Sequence, residues 1–308
     1  MLKEPTLSCP GVCLLILPEG NQTVMTSKAH PLSRRTFLTG AATTIMGAAL
    51  STNARAAQFK TTSIQVWSCG GLAEAFRPAN ARFKEKTGVD VAYTGAFAAA
   101  LGKSLLGSAT TDVFGARVLG LAQKLRQTGK MVYFKPLCFT RYVLVTPKGN
   151  PAGIQGIADL AREGVRVIQA PEASPPGGQA ATALMKKAGV LAAATKNTVL
   201  AGTCVQRTMQ SLVEGEGDVA VVEYRLTRMP LFKDKTEILP IPAEYFPPPP
   251  LTFTIGVMKT APDRDLADAY VDFIRSAEGQ QYFENAGFIP AISAEGQRLV
   301  EKLGVVDV

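Results

Sequence analysis

Strand-like and helix-like segments alternate along the chain from residue 63 onward, and this alternation restricts the fold more than any other feature. Residues 63–67, SIQVW, form a short run rich in apolar side chains that is typical of a buried strand. In residues 72–87 the apolar side chains recur every three or four positions, which is the spacing of a buried helix face. Gly88 then supplies a residue type that commonly ends helices.

The same pattern continues through the rest of the chain and predicts an α/β fold. We expect further strands at residues 89–93, 113–114, 141–145, 165–169, 219–222 and 251–257, and further helices at residues 98–106, 117–127, 179–188, 205–214, 264–277 and 279–285. A length of 308 residues accommodates one large or two moderate domains.

The first 56 residues carry an export signal. The sequence SRRTFL at residues 33–38 matches the twin-arginine motif, and Ala54-Arg55-Ala56 matches a signal-peptidase site. The apolar stretch between them, residues 38–50, is shorter than the about 20 residues that span a bilayer. We therefore predict cleavage after residue 56, a periplasmic location and no membrane insertion of the mature chain. Met25 offers an alternative start, so residues 1–24 are left out of the fold prediction.

Composition argues against two broad classes of function. The net charge is +8, but no basic cluster is interleaved with aromatic residues, so a nucleic-acid partner is not expected. The single histidine, His30, precedes the predicted cleavage site, so the mature chain lacks the commonest general base and metal ligand. We predict that the protein is not an enzyme and needs no cofactor.

Five short segments, in a fixed order and spacing, carry a resemblance to a known family. They are FKEKTGV at residues 83–89, TDVF at 111–114, YVLVTPKGNP at 142–151, VEGEGDVA at 213–220, and SAEGQ at 276–280 followed by GFIP at 287–290. Together they make the chain resemble the periplasmic molybdate/tungstate-binding proteins of ABC transporters over nearly the whole mature sequence.

The resemblance implies a two-lobed Venus-flytrap fold whose lobes are joined by two crossing strands. Lobe 1 would comprise residues 57–140 and 254–308, and lobe 2 residues 141–253. A monomer of this kind would close on a small inorganic ligand and present it to an ABC permease. The alternative is a periplasmic sensor whose closed form docks on a histidine kinase or chemoreceptor.

The resemblance also implies which loops contact the ligand. The expected positions are Cys69, Gly70, Gly71, Ala96, Phe97, Pro176, Gly177, Cys204, Val205, Glu223 and Tyr224. The hydroxyl groups of the family fall here on Gly71, Ala96 and Phe97, and one backbone donor falls on Pro176, which has no N–H. The family tyrosine falls on Glu223, and the adjacent Tyr224 is the alternative for that position. We therefore predict a divergent ligand site.

The cysteines suggest a second kind of cargo. Cys69, Cys138 and Cys204 remain in the mature chain. Cys69 and Cys204 lie in predicted cleft loops and Cys138 precedes the crossing strand, so all three are expected to point toward the cleft. Thiolates bind soft ions such as Cu(I), Zn(II) or arsenite. Two alternatives account for the same three cysteines. One is a structural disulfide with one buried free cysteine, and the other is a catalytic thiol. Arg117 and Arg141 lie near the expected rim, where we predict surface ion pairs; bidentate pairing with an oxyanion is the alternative.

Overall fold

Two β-sheets with helices on their faces make up the protein. The computed structural model describes residues 59–173, 177–246 and 252–307. The strands are β1 (Ser63–Cys69), β2 (Asp90–Ala96), β3 (Val113–Arg117), β4 (Met131–Thr140), β5 (Tyr142–Pro147), β6 (Val167–Gln169), β7 (Thr198–Ala201), β8 (Val219–Glu223), β9 (Thr236–Pro240), β10 (Thr252–Met258) and β11 (Phe288–Pro290). The predicted export signal, residues 1–56, lies outside the described residues.

Ten α-helices connect these strands within the described residues. They are α1 (Ala73–Thr87), α2 (Ala98–Leu106), α3 (Leu119–Gln127), α4 (Gly177–Lys187), α5 (Leu191–Lys196), α6 (Val205–Val213), α7 (Tyr224–Arg228), α8 (Arg264–Arg275), α9 (Ala277–Asn285) and α10 (Ala294–Leu303). Short 3₁₀ helices occupy Gly70–Leu72, Ile157–Ala161 and Ala243–Tyr245. None of the described helices is both long and apolar enough to cross a bilayer.

The strands divide into two sheets, and the chain visits the first sheet twice. The first sheet has six strands in the order β11-β4-β10-β3-β1-β2, and the second has five in the order β7-β6-β8-β5-β9. Helices α1–α3 and α8–α10 contact the first sheet, whereas α4–α7 lie with the second. We call these two layers the first and the second lobe. The predicted two-lobed α/β fold class is confirmed.

Aromatic packing between helices fixes the core of the first lobe. Phe76 of α1 packs edge-on against Phe283 of α9 with ring centroids 5.2 Å apart, and Phe83 packs edge-on against Tyr270 of α8 at 5.1 Å. The buried Tyr270 hydroxyl donates to Asn80 Oδ1 at 2.6 Å, which satisfies a phenol that burial would otherwise penalise. The helices expected from the 3.6-residue periodicity therefore bury the faces that this periodicity indicates.

Sequence patterns locate most elements but miss several strands. The strand at residues 63–67 and the helix that ends before Gly88 are confirmed, and Gly88 adopts the left-handed conformation with φ of 76°. The patterns do not predict strands β4, β7, β9 and β11. The helix expected from residue 117 begins instead at Leu119, because Arg117 is the last residue of β3.

Candidate binding cleft

The parallel strands of the first lobe end side by side. β1 pairs in parallel with both β2 and β3, with Cys69 opposite Ala96 at the ends of β1 and β2. Each of these strands leads directly into a helix, so three helix N-termini follow the same sheet edge. In α/β folds the carboxyl edge of a parallel sheet is where ligands bind.

The second lobe has a corresponding edge. β6 pairs in parallel with β7 and β8, and helices α4, α6 and α7 begin just beyond this edge. Gly177, Val205 and Glu223 line a common cavity of about 20 Å³ there. That volume accommodates about one water molecule. A larger ligand does not fit this cavity in the described arrangement.

A buried cluster of three charged side chains joins the two edges. Arg117 Nη2, at the end of β3, lies 2.6 Å from Glu223 Oε1, at the end of β8. Arg225 Nε, in α7, lies 2.5 Å from Glu223 Oε2. Arg117 and Glu223 are each 3% exposed, and Arg225 is 8% exposed. Because Arg117 belongs to the first lobe and Glu223 to the second, the two sheet edges face each other across this contact.

The three side chains of this cluster keep their charges. Burial would raise the pKa of Glu223, but Arg225 and Arg117 outweigh burial and hold the pKa below its usual value. Burial likewise would lower the pKa of Arg117, but Glu223 outweighs it and raises the pKa. Two guanidinium groups thus face one carboxylate. Removing one partner from such a buried group typically costs about 3–5 kcal/mol.

A strained turn ends β3 at Arg117. The next residue, Val118, has φ of 68°, a conformation that β-branched residues rarely adopt. Such a residue costs on the order of 1–3 kcal/mol and persists only where the surroundings hold it in place.

The predicted surface pairing of Arg117 is wrong because the residue is buried against Glu223. Arg141 does form the predicted surface ion pair, with Glu295 at 2.6 Å.

Two glycines allow the charged cluster to form at close range. A Cβ atom at Gly177 would lie 2.9 Å from Glu223 Oε1 and 3.1 Å from Arg117 Nη2. A Cβ atom at Gly71 would lie 3.2 Å from the guanidinium carbon of Arg225. Both contacts are shorter than ordinary van der Waals separation, so backbone at these two positions packs directly on the ions.

The remaining predicted site residues take varied positions. Gly70 lies against the backbone of Ala96. Phe97 precedes α2 and is 64% exposed. Tyr224 is half-buried, and its backbone N–H donates to the Arg141 carbonyl oxygen at 2.8 Å. Pro176 lies outside the described residues.

The three cysteines are divided between the two lobes. All are free; Cys69 and Cys138 are buried in the first lobe, whereas half-buried Cys204 precedes α6 in the second. Burial raises the pKa of Cys138 well above its ordinary value, which favours the neutral thiol. Cys69 Sγ lies 4.0 Å from Arg117 Nη1. Among the described residues no group of three or more His, Cys, Asp or Glu side chains is arranged to hold a metal ion. The predicted thiolate metal site of Cys69, Cys138 and Cys204 is therefore unsupported, and the alternative disulfide is not formed.

Helices at the facing edges lack the side-chain caps found elsewhere. Phe97, Val118 and Cys204 precede α2, α3 and α6, and none makes a side-chain capping hydrogen bond. By contrast, the side chains that cap α8, α9 and α10 accept from backbone N–H groups; they belong to Asp263, Ser276 and Ser293. The uncapped N-termini retain backbone donors and a positive dipole end that favour an anion.

Comparison with known proteins identifies the family to which this protein belongs. The family model of bacterial extracellular solute-binding proteins matches residues 64–289, which covers both sheets. The chain belongs to this family. Molybdate-binding protein ModA of Mycobacterium tuberculosis is 25% identical over 228 residues, which cover 73% of this chain and 84% of that protein. The resemblance to molybdate-binding proteins is thereby confirmed at the level of the family.

Solved structures of similar proteins establish the fold of this solute-binding protein but not its ligand. The periplasmic molybdate-binding protein of Azotobacter vinelandii aligns with a TM-score of 0.60 and 18% identity, covering 73% of this chain and 98% of that one. The sulfate-binding protein SubI of Mycobacterium tuberculosis aligns with a TM-score of 0.57 and 18% identity, covering 79% and 92%. One of these proteins is named for molybdate and the other for sulfate. The shared fold therefore does not determine the ligand, which depends on the side chains in the cleft.

The sequence patterns miss Arg225 and misplace Arg117. Arg225 follows the predicted position Glu223 by two residues, and a buried strand that ends in a carboxylate signals a nearby cation. Arg117 ends the apolar run of β3, where a charged residue after four buried positions gives a comparable signal. In both cases the partner lies across the cleft or beyond the strand end, outside any local pattern.

Proposed function

We propose that this protein captures a small inorganic oxyanion in the periplasm and delivers it to an ABC permease. The observation that carries the proposal is the buried cluster of Arg117, Glu223 and Arg225, which spans the two lobes and places two guanidinium groups on one carboxylate. Molybdate- and sulfate-binding relatives share the fold, so an anion is the ligand class that both the site and the relatives favour.

Guanidinium groups suit this task because they stay charged and present several N–H donors in one plane. In the described structure Arg117 Nε is buried without a hydrogen-bond partner, so one of its donors is available. The uncapped N-termini of α2, α3 and α6 add backbone donors at the same edges. Together these groups replace the hydroxyls that the molybdate-binding family has at positions 71, 96 and 97.

Lobe closure provides the mechanism of capture. A ligand between Arg117 of the first lobe and the second lobe gains contacts from both only when the lobes are together. Its extra affinity for the closed arrangement shifts the lobe populations toward closure. A permease that recognises the closed surface then receives only loaded protein. We propose that the chain acts as a monomer and reaches the periplasm through its twin-arginine signal.

A thermal-shift screen of the mature chain tests this proposal. Phosphate, arsenate, sulfate, molybdate and chloride would be compared at equal ionic strength, and an oxyanion present at a hundredfold excess over its dissociation constant should stabilise the protein by about 2.7 kcal/mol. Arg117→Gln should weaken that affinity by about 30-fold or more, because it removes a buried charged donor. Arg162→Gln is the matched control, since Arg162 is exposed on the same lobe as Glu223 and pairs with Asp159 of that lobe.

Cooperative unfolding of each variant without anion would establish that it is folded. If no oxyanion stabilises the wild-type protein, or if Arg117→Gln and Arg162→Gln bind the anion equally well, the proposed role of the cluster is wrong.

A further inference from the structure

Glu223 is an unexpected residue at an anion-binding site, and the proposed function alone does not account for it. Its carboxylate lies at the carboxyl edge of the second lobe, where it contacts one guanidinium from each lobe. A carboxylate at this position repels every fully deprotonated oxyanion that shares the two arginines. The side chain is therefore either a barrier to binding or a selective contact.

The structure holds this carboxylate in place. Both of its oxygens are engaged at 2.6 Å and 2.5 Å by Arg117 and Arg225. Backbone at Gly177 packs against Oε1 with no space for a methyl group, and the side chain is almost fully buried. A group fixed from three sides forms part of the wall of the site.

An ionised carboxylate accepts hydrogen bonds and donates none. Each oxygen of Glu223 has a second lone pair beyond the one that its arginine uses. A ligand in contact with this wall must therefore offer an O–H group, while its remaining oxygens accept from donors such as the unpartnered Arg117 Nε. Hydrogen phosphate and hydrogen arsenate meet both conditions near neutral pH, whereas sulfate and molybdate carry no proton there.

We infer that Glu223 makes the site selective for oxyanions that retain a proton, of the phosphate and arsenate class, over fully deprotonated ones such as sulfate and molybdate. This inference rests on the proposed function and names its substrate class. It relies on one acceptor-only group, the Glu223 carboxylate, lying beside two cationic donors, Arg117 and Arg225. The carboxylate accepts a hydrogen bond from the ligand hydroxyl, and the guanidinium groups donate to the negatively charged oxygens.

Titration calorimetry of the wild-type mature protein with four anions gives the first test. Phosphate and sulfate form a smaller tetrahedral pair, and arsenate and molybdate form a larger one, so the panel separates protonation from fit. We expect phosphate and arsenate to bind at least about 100-fold more tightly than sulfate and molybdate, because a buried acceptor-only carboxylate strongly rejects a ligand that lacks the hydroxyl. Tighter binding of sulfate or molybdate would overturn the selectivity while leaving oxyanion capture intact. Failure of all four anions to bind would instead contradict the proposed function itself.

Glu223→Gln provides the second test, because an amide can donate to a deprotonated oxygen. We expect this variant to gain at least about tenfold in affinity for sulfate and to lose a similar factor for phosphate, since the amide also loses one acceptor oxygen. Glu74→Gln is the charge-matched comparison. Glu74 raises the pKa of Arg225 but belongs to α1, and its substitution removes one negative charge without changing the group that contacts Arg117.

The pattern across the two variants discriminates the mechanisms. A reversal of preference confined to Glu223→Gln supports proton recognition. An equal gain for all four anions in Glu223→Gln would show that the carboxylate only competes with ligands, and equal shifts in Glu74→Gln would show that net charge alone sets the preference. Either result refutes the inference. The wild-type selectivity remains decisive if Glu223→Gln does not fold.

Discussion

A methyl group added at Gly177 is expected to oppose lobe closure without unfolding the protein. Gly177 is the first residue of α4, and a Cβ atom there would lie 2.9 Å from Glu223 Oε1 and 3.1 Å from Arg117 Nη2. Glu223 cannot move aside at low cost, because both of its oxygens are held by arginines. Arg117 belongs to the other lobe, so separation of the lobes relieves its contact with the new methyl group and also releases Glu223 Oε1, the oxygen that Arg117 holds.

The magnitude follows from two opposing effects of Gly177→Ala. Overpacking of a buried contact costs about 1–3 kcal/mol, which here is imposed on the closed arrangement. That cost corresponds to a loss of about 5- to 150-fold in ligand affinity. Alanine is a better helix former than glycine by up to about 1 kcal/mol, which favours the folded state of α4. Affinity should therefore fall while the thermal midpoint of the free protein stays level or rises.

The assay combines calorimetry with phosphate and small-angle scattering of the free protein, which reports lobe separation without any ligand. Gly120→Ala is the matched control, because Gly120 is the second residue of α3 and a Cβ atom there would have no heavy atom within 4 Å. A Gly177→Ala protein that unfolds at a lower temperature but binds phosphate as the wild type does would refute this reasoning. So would a Gly120→Ala protein that loses as much affinity.

Two further predictions concern stability and thiol access. Asp263 accepts backbone hydrogen bonds from Lys60, Thr61 and Leu266 at 2.5, 3.1 and 3.1 Å. Asp263→Ala should therefore lower the free energy of unfolding, measured by urea titration, by about 1–3 kcal/mol. Asp265→Ala is the control and should leave that free energy unchanged, because Asp265 is exposed. Burial would raise the pKa of Asp263, but these donors outweigh burial and lower the pKa. The stabilisation by Asp263 is therefore present above the ordinary aspartate pKa of about 3.9 and is lost as the pH falls below that value. Acid unfolding should accordingly depend less on pH in Asp263→Asn than in the wild type. Iodoacetamide should modify half-buried Cys204 in the native protein and spare Cys138 until the chain unfolds, because Cys138 is fully buried and burial raises its pKa. Modification of Cys138 before Cys204, detected by peptide mass spectrometry, would contradict this prediction.

The fold is largely predictable because its signals are local. The helix that ends at Gly88 shows its buried face and its C-cap in sequence, and the strand at residues 63–67 is a short run rich in apolar side chains. Strand β4 escapes prediction because Met131–Thr140 has mixed burial, contains Pro136 and shows no clean alternation. Its place in the sheet comes from pairing with β10, more than a hundred residues later, which no local pattern reports.

The charged cluster is less predictable, for physical reasons that its residues make clear. Resemblance identifies Glu223 as a site position, but its compensation by Arg117 joins residues 106 apart in sequence. Arg117 reads as the start of a helix because nothing in the sequence indicates that Val118 adopts φ of 68° and ends the strand. Burial of an arginine is likewise a tertiary property, since the same residue on an exposed helix would form a surface pair like that of Arg141.

The two ion pairs of Glu223 differ in what they connect, and this difference couples recognition to closure. Arg225 lies two residues from Glu223 in the same lobe, so their contact does not depend on the separation of the lobes. The contact of Arg117 with Glu223 forms only when the lobes are together. A ligand that donates to Glu223 and accepts from Arg117 therefore binds the closed arrangement more tightly than an open one. That difference in affinity is the free energy available to shift the lobe populations, so a ligand without the proton loses closure along with its hydrogen bond.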